Sequence, residues 1–360
     1  MAGNSNLNDS ARNKQDEFYT QLSLIENELK HYKQHFKGKT VLCNCDDPFE
    51  SNFFKFFAMN FNSLGLKKLI STCYASSPVA GKELEYYVES DGQLSFLPSP
   101  NAVPVNERHH PYRVEITEVK DENGDGRTDL ADVEFLLKNK KNTMTLLDGD
   151  GDFRSPECIN LLKQADIVCT NPPFSLFRDY MAQIVEYKKD FLIIGNLNAV
   201  KYKEILPLFM TDKVWLGYNS GHYWFKVPDS YEEKKTDFKI DESGQKWRRM
   251  GNICWYTNLD TEKRHEDMTL FRTYSPEKYP KYDSYDAIEV SKTADIPCDY
   301  YGTIGVPITF MTKHNPDQFE IVGVLNSGSA NKYDFAKAIL NGKQLYARIL
   351  IRRKVGQHEN

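Results

Sequence analysis

Asp166-Ile-Val-Cys-Thr-Asn-Pro-Pro-Phe-Ser-Leu-Phe177 holds a short apolar run that stops on two consecutive prolines. Ile167, Val168 and Cys169 have the length and β-leaning composition of a buried strand. Pro172 and Pro173 each fix φ near −65° and lack a backbone N–H, so neither a helix interior nor a central strand continues through them. The chain must therefore leave a strand here and enter a rigid loop. The Asn171 side-chain oxygen, an inward carbonyl and the flat Phe174 ring together suit a planar group bearing an –NH₂. In duplex DNA such a group has first to be flipped out and held by stacking. A plain Asn-Pro-Pro turn with a buried Phe behind it is the structural alternative.

The segments around this run alternate. A helical pattern spans 15–37, with Leu22, Leu24, Ile25 and Leu29 among polar residues. A strand, Lys39–Cys45, leads through Asp46-Asp47-Pro48 into an aromatic-rich helix ending near Phe61, and Lys68–Tyr74 follows as a second strand. The β–α–β order predicts a parallel α/β sheet. Residues 76–112, rich in Ser, Pro and Gly, read as an excursion. Strands resume at Thr143–Leu147, Ile167–Thr170, Phe191–Gly195 and Val214–Gly217, with helices at Ser175–Tyr187 and Tyr202–Met210. Past 217 the alternation decays into Tyr- and Trp-rich pieces, and 232–249 is heavily charged.

With 360 residues, 40% hydrophobic and 27% charged, the chain has the composition of a soluble globular protein with a sizeable core. No apolar run approaches the ~20 residues of a membrane span, and the polar N-terminus lacks a signal core. Seven cysteines without a C-x-x-C pair give neither a disulfide framework nor a zinc signature, and a reducing cytoplasm is the simplest setting. The net charge of −5 is carried wholly by residues 121–152, where nine acids face four bases, so the rest of the chain is neutral and free to present a basic face.

Gly151-Asp152-Phe153 precedes the Asp166 strand. Asp16-Glu17-Phe18-Tyr19-Thr20-Gln21 lies near the N-terminus, and the loop Asn44-Cys-Asp46-Asp47-Pro-Phe-Glu-Ser51-Asn-Phe follows the first strand. The last two resemble motifs X and I, and Asn171-Pro-Pro-Phe174 motif IV, of the amino-methyltransferases that use S-adenosylmethionine, and Gly151-Asp152-Phe153 stands where those enzymes place an acid against the cofactor adenine. Longer strings are more specific: Cys43–Phe53, Gly195-Asn-Leu-Asn-Ala199, Gly251-Asn-Ile-Cys-Trp-Tyr-Thr-Asn258 and Gly305-Val-Pro-Ile-Thr309. From Asp16 to Arg352-Arg353-Lys354 the chain resembles the EcoRI-type adenine-specific DNA methyltransferase family. It departs from the common methyltransferase pattern in two places. The loop after the first strand has no glycine to admit the cofactor, and the second strand ends in Cys73-Tyr74-Ala75 without an acid for the ribose hydroxyls.

The resemblance implies a fold: a Rossmann-like class I S-adenosylmethionine-dependent methyltransferase core, α/β, with a mixed α+β target-recognition region. The corresponding spans are a flexible N-terminus 1–14, a catalytic core 15–217 with an excursion at 76–142, remaining core strands and DNA recognition at 218–356, and a tail 357–360. It also implies methyl transfer to N6 of a flipped adenine in double-stranded DNA, at a GAATTC-like site. The enzyme would be a cytoplasmic monomer, the modification partner of a restriction endonuclease. Asn171, Pro172, Pro173 and Phe174 become the catalytic loop. Phe18, Tyr19, Thr20, Asn44, Asp46, Asp47, Ser51, Asp152 and Phe153 become cofactor contacts. Methylation of RNA adenine or protein glutamine, and a catalytically inactive DNA-binding relative, are the alternatives.

Two further features carry chemistry of their own. Lys246, Trp247, Arg248 and Arg249 combine cations with an aromatic, which suits phosphate or base-edge contact as well as a solvated face. Arg348, Arg352, Arg353 and Lys354 read either as a phosphate-facing strand or as a solubilising tail. Asp121, Asn123, Asp125, Arg127, Asp129 and Asp132 fall at positions 1, 3, 5, 7, 9 and 12 of a calcium-loop template with glycine at position 6. A structural calcium ion, an acidic solvated turn and a calcium-dependent binding module are the readings of that loop.

Overall fold

The computed structural model describes residues 20–45, 48, 51–73, 111–121, 128, 129, 132, 133, 135 and, apart from 228–230 and 329–331, 143–354. At 87–88, 94–95, 103–104 and 143–144 it describes the backbone alone. The chain divides into two units, 1–195 with 221–253 and 196–220 with 254–360. Its main elements are α1 (Leu22–Leu29), β1 (Thr40–Cys43), α2 (Asn52–Met59), β2 (Lys68–Thr72), β3 (Tyr112–Ile116), β4 (Thr143–Leu146), α3 (Pro156–Gln164), β5 (Ile167–Thr170), α4 (Phe177–Glu186), β6 (Asp190–Asn196), α5 (Leu206–Met210), β7 (Trp215–Lys226), β8 (Phe238–Ile240) and β9 (Lys246–Thr257).

The fold is mixed α/β. One nine-stranded sheet has the order β7-β9-β6-β5-β1-β2-β3-β4, with β8 beside β9. Its centre, β2-β1-β5-β6, is parallel, with Val41 opposite both Leu69 and Ile167, and Val168 opposite Phe191. β3 and β4 add antiparallel strands at one edge. β3 lies inside the span 76–142 expected to leave the sheet. Its sequence Tyr-Arg-Val-Glu-Ile alternates buried and half-buried residues, the signature of a strand with one face inward.

The central strands are buried at every position of β1 and β5, as parallel strands covered on both faces require. Asp166 ties their starts together: the Thr40 N–H donates to its carboxylate at 2.8 Å, and its own N–H donates to the Thr40 carbonyl at 2.9 Å. α2 begins where the Ser51 hydroxyl accepts from the Phe54 N–H, and it buries Phe53, Phe54 and Phe57 at 1% exposure or less. Each such ring contributes at most about 3 kcal/mol. α3 opens with Pro156 behind the Ser155 cap and closes where the Lys189 ammonium donates to the Lys163 and Ala165 carbonyls at 2.8 and 2.6 Å.

In the second unit, β10 (Ile288–Glu289), β11 (Ile304–Pro307), β12 (Phe319–Leu325), β13 (Asp334–Ala336) and β14 (Arg348–Arg353) form a sheet in the order β10-β11-β14-β12-β13. The C-terminal arginines therefore lie on a central strand with protein partners and do not form a trailing tail. Arg348 forks onto the buried Glu289 carboxylate at 2.9 Å, which Tyr282 and Ser291 also bond, and Arg352 donates to the Thr303 hydroxyl at 3.2 Å. All seven cysteines are free thiols. Six are buried and Cys298 is half-buried. Among the described residues, no helix is long and apolar enough to cross a membrane.

Candidate active site

Because β2, β1 and β5 are parallel neighbours, the loops that follow them leave from one edge of the sheet. Cys43 lies opposite Ser71, and Leu42 opposite Val168. Continuing those registers brings Thr72, Asn44 and Thr170 level with one another, and Cys73 and Asn171 come next. Asn44 and Asn171 are 6% and 5% exposed. Pro172 is buried, while Pro173 and Phe174 are half-buried. The two prolines end β5, and the Leu176 N–H closes a 3₁₀ turn onto the Pro173 carbonyl at 3.0 Å before α4 begins. Among the described residues no hydrogen bond is made to the Pro172 carbonyl.

Gly151 places a second segment at this edge. Its φ is +76°, and a Cβ there would overlap the Cys73 carbonyl oxygen and meet the Pro111 side chain at 3.0 Å. Only glycine lets the Asp152 turn approach the end of β2 so closely. Phe153, 6% exposed, meets the Tyr180 ring edge-on at a centroid distance of 5.0 Å. Asp152 accepts both the Arg154 Nε and Nη2 at 2.9 and 2.6 Å, and its own N–H donates to Asp150. The Arg154 guanidinium holds the Asp152 carboxyl below the ordinary carboxylate range, so the group is ionised at neutral pH.

Thr20 is 2% exposed, and its carbonyl accepts from the Asn52 side chain at 2.7 Å, beside the start of α2. The buried hydroxyls of Thr20, Ser71, Thr72 and Thr170 make no hydrogen bond among the described residues. Burying a hydroxyl without a partner costs about 1–3 kcal/mol. Three of the four lie at the ends of β2 and β5.

The structure thus gathers Asn44, Asp152, Phe153 and Asn171-Pro172-Pro173-Phe174 about the ends of adjacent strands, with Thr20 beside α2. Ser51 caps α2. Phe18, Tyr19, Asp46 and Asp47 lie outside the described residues, as do Asn123, Asp125 and Arg127 of the acidic loop. Asp129 and Asp132 there bond each other's backbone N–H groups. Among the described residues no group of three or more His, Cys, Asp or Glu side chains is arranged to hold a metal ion.

Lys246, Trp247, Arg248 and Arg249 lie on β9 against β8. Lys246 donates to the Tyr231 carbonyl at 3.1 Å, the Trp247 indole to Asp241 at 2.8 Å, and Arg248 to the Thr236 and Asp237 carbonyls at 2.5 and 3.0 Å. Arg249 is exposed, and among the described residues its guanidinium makes a loose ion pair to Asp237 at 3.8 Å. Tyr180, Gln183, Ser71, Thr72 and Thr170 were missed from the sequence. A polar pair three apart on the inward face of α4 was the available signal for the first two.

Strand-end asparagines and a Gly-Asp-Phe turn thus share a parallel sheet edge with buried hydroxyls. The model for the adenine-specific methyltransferase EcoRI family matches residues 6–354, and the chain belongs to that family. It is 44% identical to the type II methyltransferase M.EcoRI of Escherichia coli over 98% of both chains. It is also 34% identical to the type II methyltransferase M.MgeORF184P of Mycoplasma genitalium and 33% identical to the type II methyltransferase M.MpnI of Mycoplasma pneumoniae, over 97% of this chain and 98% of each relative. No solved structure matches the chain.

Proposed function

We propose that this adenine-specific methyltransferase moves a methyl group from S-adenosylmethionine to N6 of an adenine flipped out of duplex DNA. Its place is as the modification enzyme of a type II restriction-modification system, acting at a GAATTC-like site in the cytoplasm. The observation that carries the reading is the convergence of Asn44, the Gly151–Phe153 turn and Asn171-Pro172-Pro173-Phe174 at the carboxyl ends of adjacent parallel strands, where open α/β sheets bind ligands. The strand order β2-β1-β5-β6 supports a Rossmann-like class I core. The bound cofactor supplies an electrophilic methyl group.

Adenine N6 is a weak nucleophile because its lone pair is delocalised into the ring. The Asn171 side-chain oxygen and the Pro172 carbonyl each accept one N6 hydrogen. Those bonds strengthen as positive charge grows on the nitrogen, so they favour the transition state over the ground state. The half-buried Phe174 ring stacks on the flipped base, an interaction worth about 1–3 kcal/mol. Ionised Asp152 and Phe153 would hold the cofactor's adenine. Arg249 is the β9 cation presented to phosphate.

Asn171→Ala is expected to cut methyl transfer at least about a hundredfold, as lost transition-state hydrogen bonds do. Calorimetric affinity for S-adenosylmethionine should stay nearly intact. Tritiated methyl transfer to DNA, RNA and protein substrates measures both the loss and the substrate class. Near-normal turnover by the variant removes the loop from the chemistry.

A further inference from the structure

α4 starts directly after the catalytic loop, and its inward face carries two polar side chains one turn apart, Tyr180 and Gln183, at 1% and 8% exposure. The Tyr180 hydroxyl donates a short hydrogen bond to the Asn44 side-chain oxygen. The same oxygen lies 3.7 Å from the Cys45 thiol, a second weak donor. Gln183 donates through Nε2 to the Phe153 carbonyl at 3.1 Å, while the Tyr180 ring buttresses the Phe153 ring. One helical turn thus grips the segment after β1 and the Gly151–Phe153 turn.

Apolar side chains at both positions would fill the same space but leave the Asn44 oxygen and the Phe153 carbonyl without these donors, at a cost of about 1–3 kcal/mol each. What the polar pair adds is direction. The Tyr180 bond turns the Asn44 side-chain oxygen toward α4 and leaves its –NH₂ as the donor end. The bond to Gln183 fixes the backbone beside Asp152 in the same way. Satisfied buried networks specify a single geometry in this manner.

We infer that Tyr180 and Gln183 are positioning residues that lock the two cofactor-contacting segments, Asn44 and Asp152-Phe153, to the helix of the catalytic loop. This rests on the cofactor assignment above and extends it: neither side chain is needed to touch the reacting atoms, and both act through Asn44 and Phe153.

Tyr180→Phe removes one hydroxyl. It should raise the calorimetric Kd for S-adenosylmethionine about five- to tenfold, the effect of losing one hydrogen bond. The KM for DNA should be unchanged, and kcat at saturating cofactor should stay within about twofold, the split that a shift in cofactor binding alone produces. Gln183→Met keeps the volume, loses the donor and should behave alike, so the idea stays testable if one variant folds poorly. In an Asn44→Ala background Tyr180→Phe should cost nothing further. An unchanged Kd in both single variants, a parallel rise in the KM for DNA, or full additivity with Asn44→Ala overturns the inference. Asp152→Asn is the companion measurement. If it weakens cofactor binding while the α4 variants do not, only the positioning role fails. If it too leaves binding unchanged, the cofactor assignment falls, and this inference falls with it.

Discussion

His314 and His265 show how single residues in the second unit respond oppositely to acid. Burial pushes the His314 imidazole down to about 4, although its ring nitrogen bonds the Phe319 carbonyl at 3.0 Å. The unfolded chain binds this proton near pH 6.5 and the folded one does not, so the contribution is present above pH 6.5 and shrinks as pH falls toward 4. The loss is on the order of 3 kcal/mol. His265 sits between Asp317, at 2.7 Å, and Asp260, at 3.1 Å. Its bond to Asp317 raises its pKa, so its contribution is present below pH 6.5 and lost as pH rises through the folded value. Melting curves at pH 4.5 and 7.5 should show the wild type markedly weaker in acid, and His314→Gln, which keeps a donor but does not titrate, should flatten that slope. An equal acid loss in the variant assigns the effect elsewhere. Residues were legible where they broke a pattern, as Asn171 does between a strand and two prolines. Tyr180 was not, because on a helix face that also buries Phe177, Met181 and Ile184 an aromatic looks like one more core residue.

Elements bounded by punctuation were the readable ones. β5 occupies Ile167–Thr170 as its apolar run and prolines dictate, and β1 and β2 fall within the predicted spans. β7 was read only as far as Gly217 but runs to Lys226. Its remainder, Tyr-Asn-Ser-Gly-His-Tyr-Trp-Phe-Lys, has no strict alternation, and the pairing with β9 decides its state. β9 also sharpens what its cations can do. Arg248 is spent on two backbone carbonyls, whereas Arg249 is exposed. Arg249→Ala is therefore expected to weaken DNA binding about uniformly across sequences and to reduce the salt slope by about 1. Arg248→Ala should act on the β8–β9 hairpin instead. A filter-binding series in salt distinguishes them, and an unchanged slope for Arg249→Ala excludes it from phosphate contact.

Over the whole molecule, the family was legible because long strings such as Cys43–Phe53 and Gly251–Asn258 do not arise from general strand or helix chemistry. The division into units was not. The chain passes from one to the other after residues 195, 220 and 253, and such crossings depend on pairings between distant strands that local composition does not encode. The thiols offer a way to watch both units at once. Cys43, Cys45, Cys73, Cys158 and Cys169 belong to the first, and Cys254 and Cys298 to the second. A brief pulse of maleimide in native buffer should label Cys298 alone, and all seven should react in denaturant. Comparable native rates at two or more thiols would contradict the burial. Peptide mass spectrometry of the pulse, taken at intervals through unfolding, then reads Cys169 against Cys254 as two clocks on one chain, reporting which unit opens first without any introduced probe.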